Sequence, residues 1–386
     1  MKLQKKLLLI SAVLIPLACI GKKTSKDNRE EEGPTKDPVP GEEEEGPSKE
    51  PTNIPVVVTP EGNIALPPVS KFMFGNVNAA DGDDVVAFTA DGVYVSELSG
   101  DGSLVYSRWY AGTLSSDFNI YPVSLADVDG NGQDDLVLFG GEGTFVALAE
   151  AQQFKAPVLW SSNFGRESAS LSYLNQDIHP RFLADANADG KADILACHSE
   201  SCFVAVSTGT SFVASTLSID DFAREADGTT SDSGWVNMNT FPRGFADVDA
   251  DSRADIIGFG QRGLWLSGNL EAGFTPKEEV ADQGPVLALY GTDQGWISQE
   301  AMPRFIGDID GDKRADIVGI KDGSFVLSLG QVAFADSESI ALATILGDVS
   351  LSFTSQSLFL ADVDGDSKDE FVIVTNDGRL QGFELK

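Results

Sequence analysis

A nine-residue acidic segment that recurs six times constrains this chain more than any other feature. The copies read Asn76-Val-Asn-Ala-Ala-Asp-Gly-Asp-Asp84, Asp127-Val-Asp-Gly-Asn-Gly-Gln-Asp-Asp135, Asp185-Ala-Asn-Ala-Asp-Gly-Lys-Ala-Asp193, Asp247-Val-Asp-Ala-Asp-Ser-Arg-Ala-Asp255, Asp308-Ile-Asp-Gly-Asp-Lys-Arg-Ala-Asp316 and Asp362-Val-Asp-Gly-Asp-Ser-Lys-Asp-Glu370. They start at residues 76, 127, 185, 247, 308 and 362, so the steps are 51, 58, 62, 61 and 54 residues. Self-similarity at such a period belongs to a solenoid, a propeller or an array, whose units bury their apolar faces against one another.

The flanks narrow the choice. An apolar strand precedes each segment, such as Phe305-Ile306 or Leu358-Phe359-Leu360, and another follows, such as Asp135-Leu-Val-Leu-Phe139 or Asp255-Ile-Ile-Gly-Phe259. A turn comes next, with an aromatic just after it in most repeats: Tyr94, Phe145, Phe203, Trp265 and Phe325. A further strand is readable as Leu104-Val-Tyr-Ser-Arg-Trp109 or Pro157-Val-Leu-Trp160. Four short strands per unit with turn signals between them make one propeller blade. No stretch carries a 3.6-residue apolar period, so helices are not expected. The sequence thus predicts an all-β fold, a β-propeller of six blades with four antiparallel strands each, with seven as the alternative count. The last unit has room for strands at Phe371 to Thr375 and Leu380 to Leu385 but not for a fourth. The strand Ile54 to Val58 is expected to complete that blade and close the ring, which removes an exposed edge.

The chain ahead of the repeats divides in two. Residues 1–18 have the layout of an export signal: Lys2, Lys5 and Lys6, then a mostly apolar run from Leu7 to Leu17. That run is too short for a membrane span of roughly 20 residues. It ends Pro16-Leu17-Ala18-Cys19, which resembles a bacterial lipobox; ordinary signal-peptidase cleavage is the alternative. Residues 19–53 form an acidic tether with almost nothing apolar to bury, expected to stay extended. Residues 54–386 form the propeller. The expected location is the bacterial outer membrane, on its periplasmic or surface side, with membrane contact through the lipid alone. Sixty acidic residues against 27 basic ones give a formal charge of −33. Such a surface repels phosphate backbones, so no nucleic-acid partner is expected. A monomer is expected.

The recurring acids point to a hard cation. Calcium takes 6–8 oxygen ligands from carboxylates, amides, carbonyls and water. Five loops carry such groups at positions 1, 3, 5 and 9: Asp127, Asp129, Asn131 and Asp135; Asp185, Asn187, Asp189 and Asp193; Asp247, Asp249, Asp251 and Asp255; Asp308, Asp310, Asp312 and Asp316; Asp362, Asp364, Asp366 and Glu370. The seventh residue would add its carbonyl. About five Ca2+ ions are expected, with the loop at Asn76 weak or empty. Solvated acidic turns are the plainer alternative, but they leave several converging carboxylates without a counter-ion.

The units resemble FG-GAP or VCBS-type repeats, the calcium-bearing blades of integrin α-chains and many bacterial surface proteins, over roughly residues 54–386. The resemblance implies a propeller with calcium in the loop between the first two strands of each blade. The chain lacks the integrin Gly-Ala-Pro element; the corresponding stretch is Ile256-Ile-Gly-Phe-Gly260.

No sequence pattern points to catalysis. The two histidines, His179 and His198, lie in no nucleophile motif, and there is no Gly-x-Ser-x-Gly, phosphate loop or zinc signature. A binding or adhesion module for glycan or protein is the expected function, with a polysaccharide hydrolase or lyase as the alternative. Tyr173, Trp235 and Trp296, with Arg181, Arg243 and Arg304, recur at fixed offsets ahead of three loops. They are candidate ligand residues on the face opposite the calcium loops, and stapling neighbouring blades is the alternative. Cys197 and Cys202 flank a hairpin turn and are expected to pair in an oxidising compartment. Mass spectrometry of the mature protein should show an acylated N-terminus at Cys19 followed by Ile20; an unmodified peptide beginning elsewhere would refute the lipid anchor.

Overall fold

The computed structural model describes residues 68–80, 82–98, 104–168, 171–219, 221–224, 234–270, 273–275, 284–330, 337–341, 357–374 and 380–383. The expected export signal, Cys19, the tether and the strand at 54–58 lie outside the described residues.

Each acidic segment joins the first two strands of an antiparallel sheet. Sheet 1 runs Val69–Gly75, Asp84–Thr89, Gly92–Leu98, Leu104–Ala111; sheet 2 Val123–Ala126, Asp135–Phe139, Thr144–Ala147, Val158–Ser161; sheet 3 Arg181–Ala184, Asp193–Cys197, Cys202–Ser207, Phe212–Ile219. Sheet 4 has Arg243–Ala246, Asp255–Phe259 and Leu264–Ser267; sheet 5 Arg304–Gly307, Asp316–Lys321, Ser324–Ser328 and Ser337–Ala341; sheet 6 Ser357–Ala361, Glu370–Val374 and Leu380–Phe383. The first strands touch in the order of the chain, and the first strand of sheet 6 touches that of sheet 1, so the ring is closed. This is a β-propeller. The one helical element among the described residues is a single 3-10 turn, Thr292–Gln294.

The strands read as they do because each sheet is covered on both faces. The second strands Asp193–Cys197 and Asp255–Phe259 are buried at every residue, so they are continuous runs rather than alternating ones. At the rim, the outer strand Leu104–Ala111 alternates between buried and exposed along much of its length. The core is a set of wedges between neighbouring sheets, for example Phe182, Leu195, Trp235, Phe245 and Trp265 between sheets 3 and 4.

The blade count differs from the sequence expectation. Sheets 1, 2, 3 and 5 have four strands, and sheet 4 gains a fourth rung where Leu287 pairs with Leu264. Among the described residues, complete blades therefore number five, not six, and sheet 6 has three strands.

The six candidate ligand residues also need correction. Trp235 and Trp296 are 0% and 1% exposed, Tyr173 1%, and Arg181, Arg243 and Arg304 1%, 0% and 0%. Each arginine opens a first strand and points sideways into a wedge. Its Nη1 donates to a main-chain carbonyl: Phe164 for Arg181, Phe222 for Arg243 and Tyr290 for Arg304. Those acceptors have left-handed backbones, with φ of 64°, 57° and 63°. Their rings pack on Tyr173, Trp235 and Trp296, with centroids 5.6, 5.0 and 5.1 Å apart. No ring face is left for a sugar; these residues pack blade against blade.

The aromatic is matched to the strand it covers. Arg181, Arg243 and Arg304 pair across the sheet with Ala196, Gly258 and Gly319. Tyrosine stands where the partner is alanine, and tryptophan where it is glycine. A Cβ on Gly258 would lie 2.7 Å from Phe222 Cε1, and one on Gly319 would lie 2.6 Å from Trp296 Cζ3. Gly258→Ala and Gly319→Ala should each destabilise the fold by about 1–3 kcal/mol through overpacking, read by chemical denaturation. An unchanged denaturation midpoint in both would contradict this packing.

Candidate metal centres

The loops are built around their first residue. Asp127 accepts N–H bonds from Gly130 at 2.7 Å and Gly132 at 2.8 Å on its two carboxylate oxygens. Asp247 does the same for Ala250 and Ser252, Asp308 for Gly311 and Lys313, and Asp362 for Gly365 and Ser367. Asp185 holds Asp189 and Gly190. The wrap requires left-handed backbone at the sixth position, where φ is 70°, 72° and 71° even at Ser252, Lys313 and Ser367. It also requires it at the fourth, where Ala188 and Ala250 have φ of 61° and 63°. Sequence reasoning found only the sixth; glycine at the fourth position of three loops was the signal for the other.

The ninth residue is the anchor. Asp135, Asp193, Asp255, Asp316 and Glu370 are 0%, 0%, 1%, 0% and 1% exposed. One oxygen accepts the N–H of the loop's second residue: Val128 at 3.2 Å, Ala186 at 3.1, Val248 at 3.1, Ile309 at 2.8 and Val363 at 3.0. In four loops the other oxygen accepts an N–H 14 residues downstream, from Ala149, Ser207, Asn269 and Gly330. Burial raises these carboxyls, to about 8 for Asp135 and Glu370 and about 7 for Asp193, Asp255 and Asp316, against the lowering pull of the N–H bonds.

Three or more carboxylates converge in four loops. Asp127, Asp129 and Asp135; Asp247, Asp249 and Asp251; Asp308, Asp310 and Asp316; and Asp362, Asp364 and Glu370 each place oxygens within 4.8 Å of one another. The loop at Asp185 has an amide, Asn187, at its third position and is not among these groups. At the fifth position Asp189, Asp251 and Asp312 pair with the seventh-position cations Lys191, Arg253 and Arg314 at 2.8, 2.6 and 2.7 Å, and of these three Asp251 also belongs to a converging group. These donors are all oxygens, which suits a hard divalent cation. The sharpest fit is at Glu370, whose Oε1 is buried and has no hydrogen-bond partner among the described residues. An orphaned buried carboxylate oxygen is costly unless a cation meets it.

In the first loop amide groups take part of the role that carboxylates have elsewhere, although Asn76 Oδ1 is buried with no hydrogen-bond partner among the described residues. Asn78 Nδ2 donates to Asp84 Oδ1 at 2.9 Å, and Asn76 Nδ2 donates to the Ala80 carbonyl at 2.6 Å. Amide hydrogens stand where the other loops converge their acids.

A second acidic feature escaped the sequence reading. The eighth residue is alanine in sheets 3, 4 and 5 but Asp83, Asp134 and Asp369 in sheets 1, 2 and 6. Burial raises Asp83, and the charges of Asp134, Asp369 and Asp362 raise it further. Gly75 leaves room for this group, since a Cβ there would lie 2.6 Å from Asp134 Oδ2. The two histidines stack at 4.2 Å, with His179 Nδ1 accepting the Leu174 N–H and His198 Nε2 against the Ser172 carbonyl.

No protein-family model matches the chain. No curated protein matches it either. Among solved structures it is similar to a lectin of Agrocybe aegerita described as recognising non-reducing terminal N-acetylglucosamine, at 24% identity and a TM-score of 0.60, over 81% of this chain and 79% of the lectin. It is also similar to part of the Photorhabdus luminescens Tc holotoxin pore, at 14% identity and a TM-score of 0.51, over 83% of this chain but only 14% of that one. At these identities the likeness is one of fold.

The ninth-position acids set a pH dependence for metal-free protein. Their folded values lie above the ordinary carboxylate range, so the folded state holds more protons. The stability they contribute is complete below the unfolded value of about 4 and is lost as pH rises through 7–8. In chelator, the melting temperature should fall between pH 5.5 and pH 8.5, and saturating calcium should flatten that slope. A metal-free melting temperature that rises over this range would contradict the assignment.

Proposed function

We propose that this protein is an exported, calcium-stabilised β-propeller that serves as a binding module for glycan, tethered through a lipid on Cys19. The observation that carries the calcium reading is the convergence of three carboxylates, from buried to exposed, in each of four loops, with Glu370 Oε1 lacking a partner among the described residues. The ions would be held by Asp127, Asp129, Asn131 and Asp135, by Asp185, Asn187, Asp189 and Asp193, and by the matching residues of the three later loops. When bound, calcium supplies the positive charge these acids lack. Five ions would add 10 to a formal charge of −33, leaving −23. The chain's own part is to hold each loop in shape through its first and ninth carboxylates.

The glycan reading is supported by the fold shared with a lectin and by the absence of a nucleophile motif in the sequence. The contact residues are not the six buried aromatic and arginine side chains. Adhesion through a protein ligand is the other form the same module could take.

Thermal unfolding tests the calcium. A ligand that binds only the folded state stabilises it by about 2.7 kcal/mol per site at a hundredfold excess over Kd, so calcium should raise the melting temperature well above that in chelator. An unchanged midpoint would overturn the calcium reading. A glycan array probed with calcium-loaded protein tests the ligand. Retention on a defined set of terminal sugars is expected. No retention would withdraw the glycan reading, and turnover of a polysaccharide would replace the binding module with a hydrolase or lyase.

A further inference from the structure

Two residues outside the acidic loops tie one loop to the next. Ser207 ends the third strand of sheet 3. Its backbone N–H donates to Asp193 Oδ1 at 2.7 Å, and its hydroxyl donates to the Val128 carbonyl in the loop of sheet 2. Asn269 stands at the matching place in sheet 4. Its backbone N–H donates to Asp255 Oδ1 at 2.6 Å, and its Nδ2 donates to the Ala186 carbonyl in the loop of sheet 3 at 2.7 Å. Val128 and Ala186 are the residues whose N–H groups bind Asp135 Oδ2 and Asp193 Oδ2. An unbroken hydrogen-bonded path therefore runs Asp135, Val128, Ser207, Asp193, Ala186, Asn269, Asp255, through the anchor carboxylates of three successive loops. Ser207 and Asn269 are 3% and 2% exposed, so water does not compete for these bonds.

The path has definite ends. At the matching place in sheet 5 stands Gly330, which donates its N–H to Asp316 Oδ1 and has no side chain to reach back. Between sheets 1 and 2 the link is different: Gln133 Nε2 donates to the Val77 carbonyl at 3.1 Å, in the loop already filled by its own amides.

We infer that Ser207 and Asn269 are positioning residues that make the calcium sites of sheets 2, 3 and 4 bind cooperatively, an inference that rests on the calcium reading. A cation on Asp193 fixes that carboxylate, and with it the Ser207 N–H on one oxygen and the Ala186 N–H on the other. Ser207 then holds the peptide that orients Asp135, and Ala186 presents its carbonyl to the residue that orients Asp255. Each filled loop lowers the ordering cost of its neighbour, and the effect is reciprocal.

The test is calcium titration of the chelator-stripped full chain by calorimetry, with Ser207→Ala, Asn269→Ala and Ser207→Thr beside the wild type. The wild type should bind with a Hill coefficient above 1. Ser207→Ala and Asn269→Ala should bind the same number of ions with a coefficient nearer 1 and a half-saturation roughly 5-fold higher. Ser207→Thr keeps the hydroxyl and should restore the wild-type curve. No calcium heat in any protein would overturn the calcium reading and this inference with it. Five independent sites in the wild type would overturn the coupling alone. Wild-type cooperativity in both alanine variants would remove Ser207 and Asn269 from the path.

Discussion

The ninth-position carboxylate of each acidic loop sits where the first two strands of a sheet and the end of its third come together, out of reach of water. A carboxylate in such a place destabilises the fold unless its oxygens are met. Here one oxygen takes the N–H that starts the loop, and in four sheets the other takes an N–H at the end of the third strand. Strand register, loop shape and sheet end are thus settled by one side chain. Its remaining demand for positive charge is what the proposed calcium would meet.

The same loops hold sheet to sheet. The N–H of the eighth residue donates to the carbonyl of the first residue in the preceding loop: Asp134 to Asn76, Ala192 to Asp127, Ala254 to Asp185, Ala315 to Asp247, Asp369 to Asp308 and, across the seam, Asp83 to Asp362. The opposite end of the ring has its own links, where Gln176, Met238 and Gln299 donate to the carbonyls of Asn119, Asp177 and Asn239. Between these two ends lie largely apolar wedges, with the buried Arg181, Arg243 and Arg304 set among the rings. Main-chain bonds fix the angular spacing of the sheets, and packing fills what lies between.

The repeat, the strands and the acidic loops were legible because they are local: a nine-residue pattern and its flanks carry them whole. What was not legible depends on which way a side chain faces once the sheets have closed. Trp235 and Arg243 recur as a surface motif would, yet both turn inward because the first strand lies between two neighbours. Ser207 and Asn269 look like ordinary polar residues at a strand end, and nothing in their own sequence shows that each reaches across to another loop. The eighth-position acids Asp134 and Asp369 read as part of the loop's charge, although they lie against Gly75 and Gly307 of the preceding sheet. The count of complete blades failed for a related reason, since a fourth strand at the rim carries little pattern of its own.

Cys197 occupies a position whose counterparts are Phe139, Phe259 and Ile320; in all four the N–H donates to the carbonyl of the proline that precedes the first strand, at Pro122, Pro180, Pro242 and Pro303. Where the neighbouring wedges place a ring or a branched chain, the wedge between sheets 3 and 4 places half of a disulfide, bonded to Cys202 across the hairpin. Separate thiols would fill that volume less firmly than a phenyl ring does. Reduction would therefore change the filling of this wedge in particular, so a reducing environment would act on the propeller at a single known joint rather than throughout.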